Sequence, residues 1–187
     1  MPLVKGGRIV EDPYLRLTDE APAPECCAIL VPAARFLADS AEFTSRSARV
    51  GVEWPNDRPV ADLLPYMDRL SLIALVFPNF RDGRAYSQAR RLREQYGFRG
   101  ELRATGEVLR DQLVFMVRAG FDSFAVKKEA DAEHFADAVG RYTAFYQPAA
   151  DSHVTARQQR LGRRIENSPC RSPSTGQVSG ASTGASN

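Results

Sequence analysis

The residues best placed for chemistry cluster in one turn, Pro78-Asn79-Phe80-Arg81-Asp82-Gly83-Arg84, and just after it. The turn lies between an apolar strand and an amphipathic helix, where free N–H groups and the helix dipole favour an anion. Arg84, Ser87 and Arg90 fall on the first turns of that helix. They offer a fork donor, a hydroxyl and a second guanidinium to an oxyanion or a phosphate. The bland reading of the same residues is that Asp82 caps the helix, Gly83 permits the turn and the arginines are solvated. The loop lacks the repeated glycines of a phosphate cradle. Arg103 is the other unusual residue. In Glu101-Leu102-Arg103-Ala104-Thr105-Gly106 it alternates with Leu102 and Ala104, and so points from the opposite face of a strand expected to be covered on both sides. A buried arginine needs a carboxylate or a bound anion. Asp82, Asp111 and Glu53 are the partners expected from neighbouring connections. Asp57 and Asp111 could serve as acid–base groups if the fold clusters them; singly, such acids are helix caps or first-turn residues.

The elements that must position these residues follow from a repeated pattern of short apolar run, turn, amphipathic helix and glycine or polar stop. RVGVEW predicts a strand, and NDRPVADLLPYMDRL a helix with Leu63, Leu64, Met67 and Leu70 inward and Pro65 near its start. Ser71–Phe77 predicts a strand covered on both faces. Ala85, Ala89, Leu92 and Tyr96 recur at helical spacing, with Gly97 as a left-handed stop. GELRATG predicts a third strand, followed by a helix with Leu109, Leu113, Met116 and Val117 inward and Gly120 at its end. DSFAVKK predicts a fourth, followed by a helix from about Asp131 to Gln147. Ala28–Val31 is a fifth candidate strand, and Pro32 opens a short helix bearing Phe36 and Leu37.

Strands separated by helices of this length pair in parallel through right-handed crossovers. The expected fold class is therefore α/β, an open, mostly parallel sheet or half-barrel of four to five βα units, with any site at the strands' carboxyl ends. Residues 1–25 form a short arm in which RIVED and YLRL can make two small strands around Asp12-Pro13. Residues 26–148 form the α/β domain, and residues 149–187 a largely disordered tail rich in serine, threonine and glycine.

Composition narrows the function classes. The 187 residues carry a formal charge of +2. From Asp151 onward stand five arginines (Arg157, Arg160, Arg163, Arg164, Arg171) and two acids (Asp151, Glu166), so the body is near neutral. That argues against a nucleic-acid-binding face. No apolar run reaches the roughly 20 residues of a membrane span, and the N-terminus lacks an apolar signal core, so no membrane partner and a cytoplasmic location are expected. Of the three cysteines, Cys26 and Cys27 are adjacent and too constrained for an ordinary structural bridge. With only His134 and His153, a histidine-based metal site or triad is not expected. There is no dinucleotide loop, Walker loop or iron–sulfur spacing, so no cofactor is expected.

The run FPNFRDGRAYSQARRLREQYGFRGELRATGEVLRDQLVFMVRAGFDSF resembles the bacterial family DUF934. Its members share a block of the form FP-x-F-x-DGR-x-x-S-x-AR-x-LR, then G-ELRA-x-G-x-x-x-DQ, then R-x-GFD-x-F. The resemblance extends over about Val50 to Tyr146. Such proteins are typically encoded beside assimilatory sulfite reductase and are often described as oxidoreductases of sulfite reduction, which implies a pathway. The resemblance brings no catalytic residue with it. The matched Asp82, Gly83, Arg84, Ser87, Arg90, Arg93, Arg103, Asp111 and Gln112 are candidates on physical grounds, with Asp82, Gly83, Arg93 and Gln112 as supporting residues.

Three functions stay open. The leading one is an accessory protein of sulfite reduction that binds sulfite, a related oxyanion or the reductase. The others are a small oxidoreductase or lyase using Asp57 or Asp111, and an interaction module with no ligand site.

Overall fold

The short apolar runs become the strands of a single sheet in the computed structural model, which describes residues 1–127 and Arg160. In chain order they are β1 (Leu3–Lys5), β2 (Arg8–Val10), β3 (Leu15–Arg16), β4 (Ile29–Pro32), β5 (Val50–Trp54), β6 (Leu70–Phe77), β7 (Glu101–Gly106) and β8 (Ser123–Ala125). Across the sheet the order is β2-β1-β8-β7-β6-β5-β4-β3. Strands β3 to β8 lie side by side in parallel, while β1 runs antiparallel to both β8 and β2. The sheet is mostly parallel, as its alternating pattern predicts, and of the two expected forms, open or half-barrel, it takes the half-barrel.

Connectivity explains the curl. The link Glu11–Tyr14 joins β2 at one edge to β3 at the other. Five peptide steps from Val10 to Leu15 reach at most about 18 Å. Seven strand intervals in a flat sheet would need about 33 Å. The sheet must bend until its edges approach, with the link lying across the concave face. Accordingly, the Tyr14 hydroxyl meets Ser71 Oγ at 3.0 Å, and Tyr14 packs with Leu30, Leu72 and Ala74 on that face.

The two small arm strands are thus present as β2 and β3 but at opposite edges, and β1 was not among the expected strands. Two apolar residues, Leu3 and Val4, are too short a run to carry a period. Both are buried once β1 pairs with β8.

Helices cover the convex face. They are α1 (Ala33–Ala38), α2 (Ser40–Ser45), a 3-10 helix (Val60–Tyr66), α3 (Arg84–Arg90) continuing as a π-helical turn (Arg91–Gln95), a 3-10 turn (Arg110–Gln112) and α4 (Leu113–Arg118). Ile73, Leu75 and Phe77 of β6 pack with Phe36, Leu63, Ala85, Ala89, Leu92 and Met116 in the main core. Each such large side chain contributes about 1.5–3 kcal/mol by burial.

Where helices differ from expectation, backbone chemistry accounts for it. The segment around Pro65 forms a 3-10 helix rather than an α-helix, since proline cannot donate an N–H to an interior turn. Leu63 is buried but Leu64 is exposed, Met67 is half-buried and Leu70 opens β6. Helix α4 starts at Leu113, later than the pattern suggests, and Leu109 and Val117 are only half-buried. Gly97 ends the α3 segment at φ +66°, the left-handed stop expected of it. The helix expected from Asp131 to Gln147 and the serine-rich tail lie outside the described residues. Among the described residues no helix is long and apolar enough to cross a membrane.

Candidate functional site

Arg103 lies on the concave face and is 2% exposed. Its Nη1 donates to Asp12 Oδ2 at 2.7 Å, and its Nη2 and Nε donate to Glu101 Oε1 at 3.1 and 3.3 Å. The Tyr14 ring covers the guanidinium at 5.5 Å. Glu101 also accepts from Lys5 Nζ and Ser123 Oγ, both at 2.6 Å. Burial pushes the Glu101 carboxyl up, but the hydrogen bonds from Lys5 and Ser123 and the charge of Arg103 outweigh it, and its pKa falls below the ordinary value.

The expected partners of Arg103 are therefore corrected. Asp82 holds Arg84, Glu53 holds Arg16, and Asp111 is exposed on the link after β7. The true partners are Asp12 of the crossing link and Glu101, two residues earlier on β7. Glu101 was findable, because residues two apart on a strand share a face. Asp12 was not, since only the curl brings it over β7.

At the carboxyl ends of β5, β6 and β7 a second group forms. Asp82 Oδ2 accepts from Arg84 Nη2 at 2.6 Å, and Asp82 Oδ1 accepts from Arg84 Nε at 3.0 Å and from the Arg84 backbone N–H at 3.2 Å. The Arg84 side-chain bonds, then the backbone N–H, hold the Asp82 carboxyl well below the usual range. In return Asp82, with a smaller contribution from the Asp57 charge, raises Arg84. Asp82 thus does serve the first turn of α3. Gly83 does not supply a special turn, since its φ of −81° suits any residue.

Glutamines tie this rim together. Gln88 Nε2 donates to the Pro55 and Arg58 carbonyls at 3.2 and 2.8 Å, and Trp54 Nε1 donates to the Arg58 carbonyl at 3.3 Å. Gln112 Nε2 donates to the Phe80 carbonyl at 3.0 Å, while the Tyr86 hydroxyl donates to Gln112 Oε1 at 3.4 Å. Burial pushes the Tyr86 phenol up to about 12, so it stays a donor at any physiological pH. Gln88 and Asn56 are both buried at this rim, and Gln88 is the one that sequence reasoning passed over as a site candidate.

The remaining candidates lie apart. Arg93 clamps the opposite end of the sheet, donating to the Gly120, Phe98 and Gly100 carbonyls at 3.0, 2.7 and 2.9 Å and pairing with Asp122. Arg90 pairs with Glu94 one turn on, at 3.4 Å. Ser87, Asp57 and Asp111 are exposed. Gathered on the outer side of the rim and α3 are Arg81, Arg84, Ser87, Arg90 and Arg91, all exposed. Beside them Phe80 is 42% exposed, with the Arg81 guanidinium 5.4 Å from its ring centre.

Fold and site together define a half-barrel α/β protein whose carboxyl-end rim bears an exposed arginine face, with a saturated buried arginine inside. The model of the family described as "Bacterial protein of unknown function (DUF934)" matches residues 51–156. That is more than half of the chain, which therefore belongs to DUF934. A search of curated proteins finds no match.

Proposed function

We propose that the protein is an accessory factor of assimilatory sulfite reduction that docks an acidic surface of the reductase with the arginine face of α3. The observation that carries this reading is the exposure of Arg84, Ser87, Arg90 and Arg91 on one outward side of α3 and its π-helical turn, beside Phe80 and Arg81. A row of guanidiniums with an aromatic at its edge suits a protein partner's carboxylates, since arginine and aromatic residues are enriched in interfaces and charges steer encounter. Arg84 and Arg90 already hold single carboxylates, Asp82 and Glu94, while over half of each side chain faces solvent. A partner's carboxylates can add to these pairs, whereas a small oxyanion would have to displace the Asp82 fork. The link to sulfite reduction rests on the family's described neighbourhood.

Mixing the full chain with purified sulfite reductase tests the docking directly. Binding should weaken as salt rises. The double substitution Arg84→Glu/Arg91→Glu should weaken it about tenfold or more, equivalent to about 1.4 kcal/mol. Binding untouched by both salt and charge reversal would overturn the arginine face. The pathway is tested separately by growth of a deletion strain on sulfate, sulfite or sulfide. Rescue by sulfide but not by sulfite assigns the protein to the sulfite step, and normal growth on all three sulfur sources removes it from that step.

A further inference from the structure

The connection from β3 to β4 carries two adjacent thiols whose surroundings differ from those of ordinary surface cysteines. Cys26 and Cys27 are both free and exposed, and their Sγ atoms are 3.5 Å apart. The turn that holds them is anchored on both sides. Arg46 Nη1 donates to the Ala23 carbonyl at 3.3 Å and Arg46 Nη2 to the Pro24 carbonyl, while the Leu15 N–H donates to the Ala28 carbonyl at 2.8 Å. A hollow of about 370 Å³, lined by Ala23, Glu25, Glu42, Ser45, Arg46 and Ser47, opens beside this turn. The sulfurs are therefore held in contact and reachable from solvent, and the residue before them, Glu25, lines the hollow.

We infer that Cys26 and Cys27 form a two-thiol redox site that exchanges an electron pair with small-molecule disulfides of the glutathione type. The site rests on different residues from the docking face and stands or falls independently of it.

The chemistry balances without a bound cofactor. One cysteine, as its thiolate, attacks a sulfur of the small disulfide RSSR; that S–S bond breaks, and RS⁻ leaves and takes up the proton the cysteine gave. The second cysteine then attacks the protein sulfur of the mixed disulfide. This forms the Cys26–Cys27 bond and releases a second RS⁻, which takes the second proton. The two cysteines lose two electrons, and RSSR becomes two RSH. Closing the bond brings the sulfurs from 3.5 Å to about 2.05 Å. The ring runs through a single peptide link, so the product is strained and easily reduced again, which suits exchange rather than structural cross-linking. Either exposed sulfur can make the first attack, because the other lies 3.5 Å away and closes the second step.

The test treats the reduced full chain with oxidised glutathione at neutral pH and reads intact mass and mapped peptides. The expected product has lost two hydrogens in the peptide holding Cys26 and Cys27 and retains no glutathione. Cys27→Ser should instead accumulate one glutathione on Cys26, and Cys170→Ser should behave as the unsubstituted protein. Stable glutathione on both cysteines of the unsubstituted protein, a bridge from either one to Cys170, or no reaction at all would each overturn the site. Both side chains are exposed, so the serine variants test chemistry rather than folding.

Discussion

Every donor nitrogen of Arg103 is turned toward a carboxylate of its own chain, and this sets what its loss should do. Arg103→Leu leaves Asp12 and Glu101 without their shared cation. Breaking a buried pair costs about 3–5 kcal/mol, but Asp12 is partly exposed and Glu101 keeps Lys5 and Ser123, so a loss of about 2–3 kcal/mol is expected. Urea denaturation reads it; an unchanged midpoint would mean that leucine packing replaces the ion pairs in full. Glu101 gives the same network a pH signature. Its folded pKa lies below the ordinary 4.5, so its stabilisation is complete above that value and is lost as pH falls through the folded pKa. Glu101→Gln should therefore be less stable at neutral pH, and below about pH 4.5 its stability should fall less steeply than that of the unsubstituted protein. Parallel slopes for the two proteins would remove Glu101 from the acid transition.

Among the elements, β7 depends on how its end is turned. Gly106 has φ +91°, and a Cβ there would stand 2.3 Å from the Phe77 carbonyl oxygen of β6. That carbonyl accepts the Glu107 N–H at 2.8 Å, which turns the chain outward at the rim. Gly106→Ala combines a disfavoured backbone with a clash against main chain and should cost about 3 kcal/mol. Thermal unfolding checks this, and a shift smaller than that of an exposed Gly83→Ala control would contradict the geometry. Helix α3 shows why its pattern was readable. Ala85, Ala89 and Leu92 are buried and Gly97 stops the helix, all signalled by residue spacing within about three turns of chain. The segment around Pro65 was misread because apolar spacing alone cannot say whether i→i+4 bonds will form.

For the molecule as a whole, the first 17 residues supply three of the eight strands and the link that covers the concave face. Removing residues 1–17 would uncover the β8 edge, strip Tyr14 from Arg103 and leave Arg103 with Glu101 alone. The shortened chain should unfold less cooperatively than the full chain or associate through its bare edges; circular dichroism melts and size-exclusion chromatography of the two chains side by side distinguish these outcomes. An unaltered melt would show that the parallel strands are self-sufficient. The arginine face of α3 points away from this interior, so the truncation and the charge reversals probe separate properties.

Local pattern by itself determined the mostly parallel α/β sheet, the strands β4 to β8, the buried face of α3 and the membership of DUF934, because these follow from short-range periodicity and from motif spacing along the chain. It also singled out Arg103 as a buried cation, since alternation on a strand assigns faces. Only the tertiary structure decided which charges meet. Asp12 reaches Arg103 across 91 residues of sequence, and Tyr14 covers the guanidinium, because a link too short for a flat sheet forces the edges together. Facing and pairing of this kind depend on curvature, a property of the whole sheet to which no single stretch of chain bears a local signal.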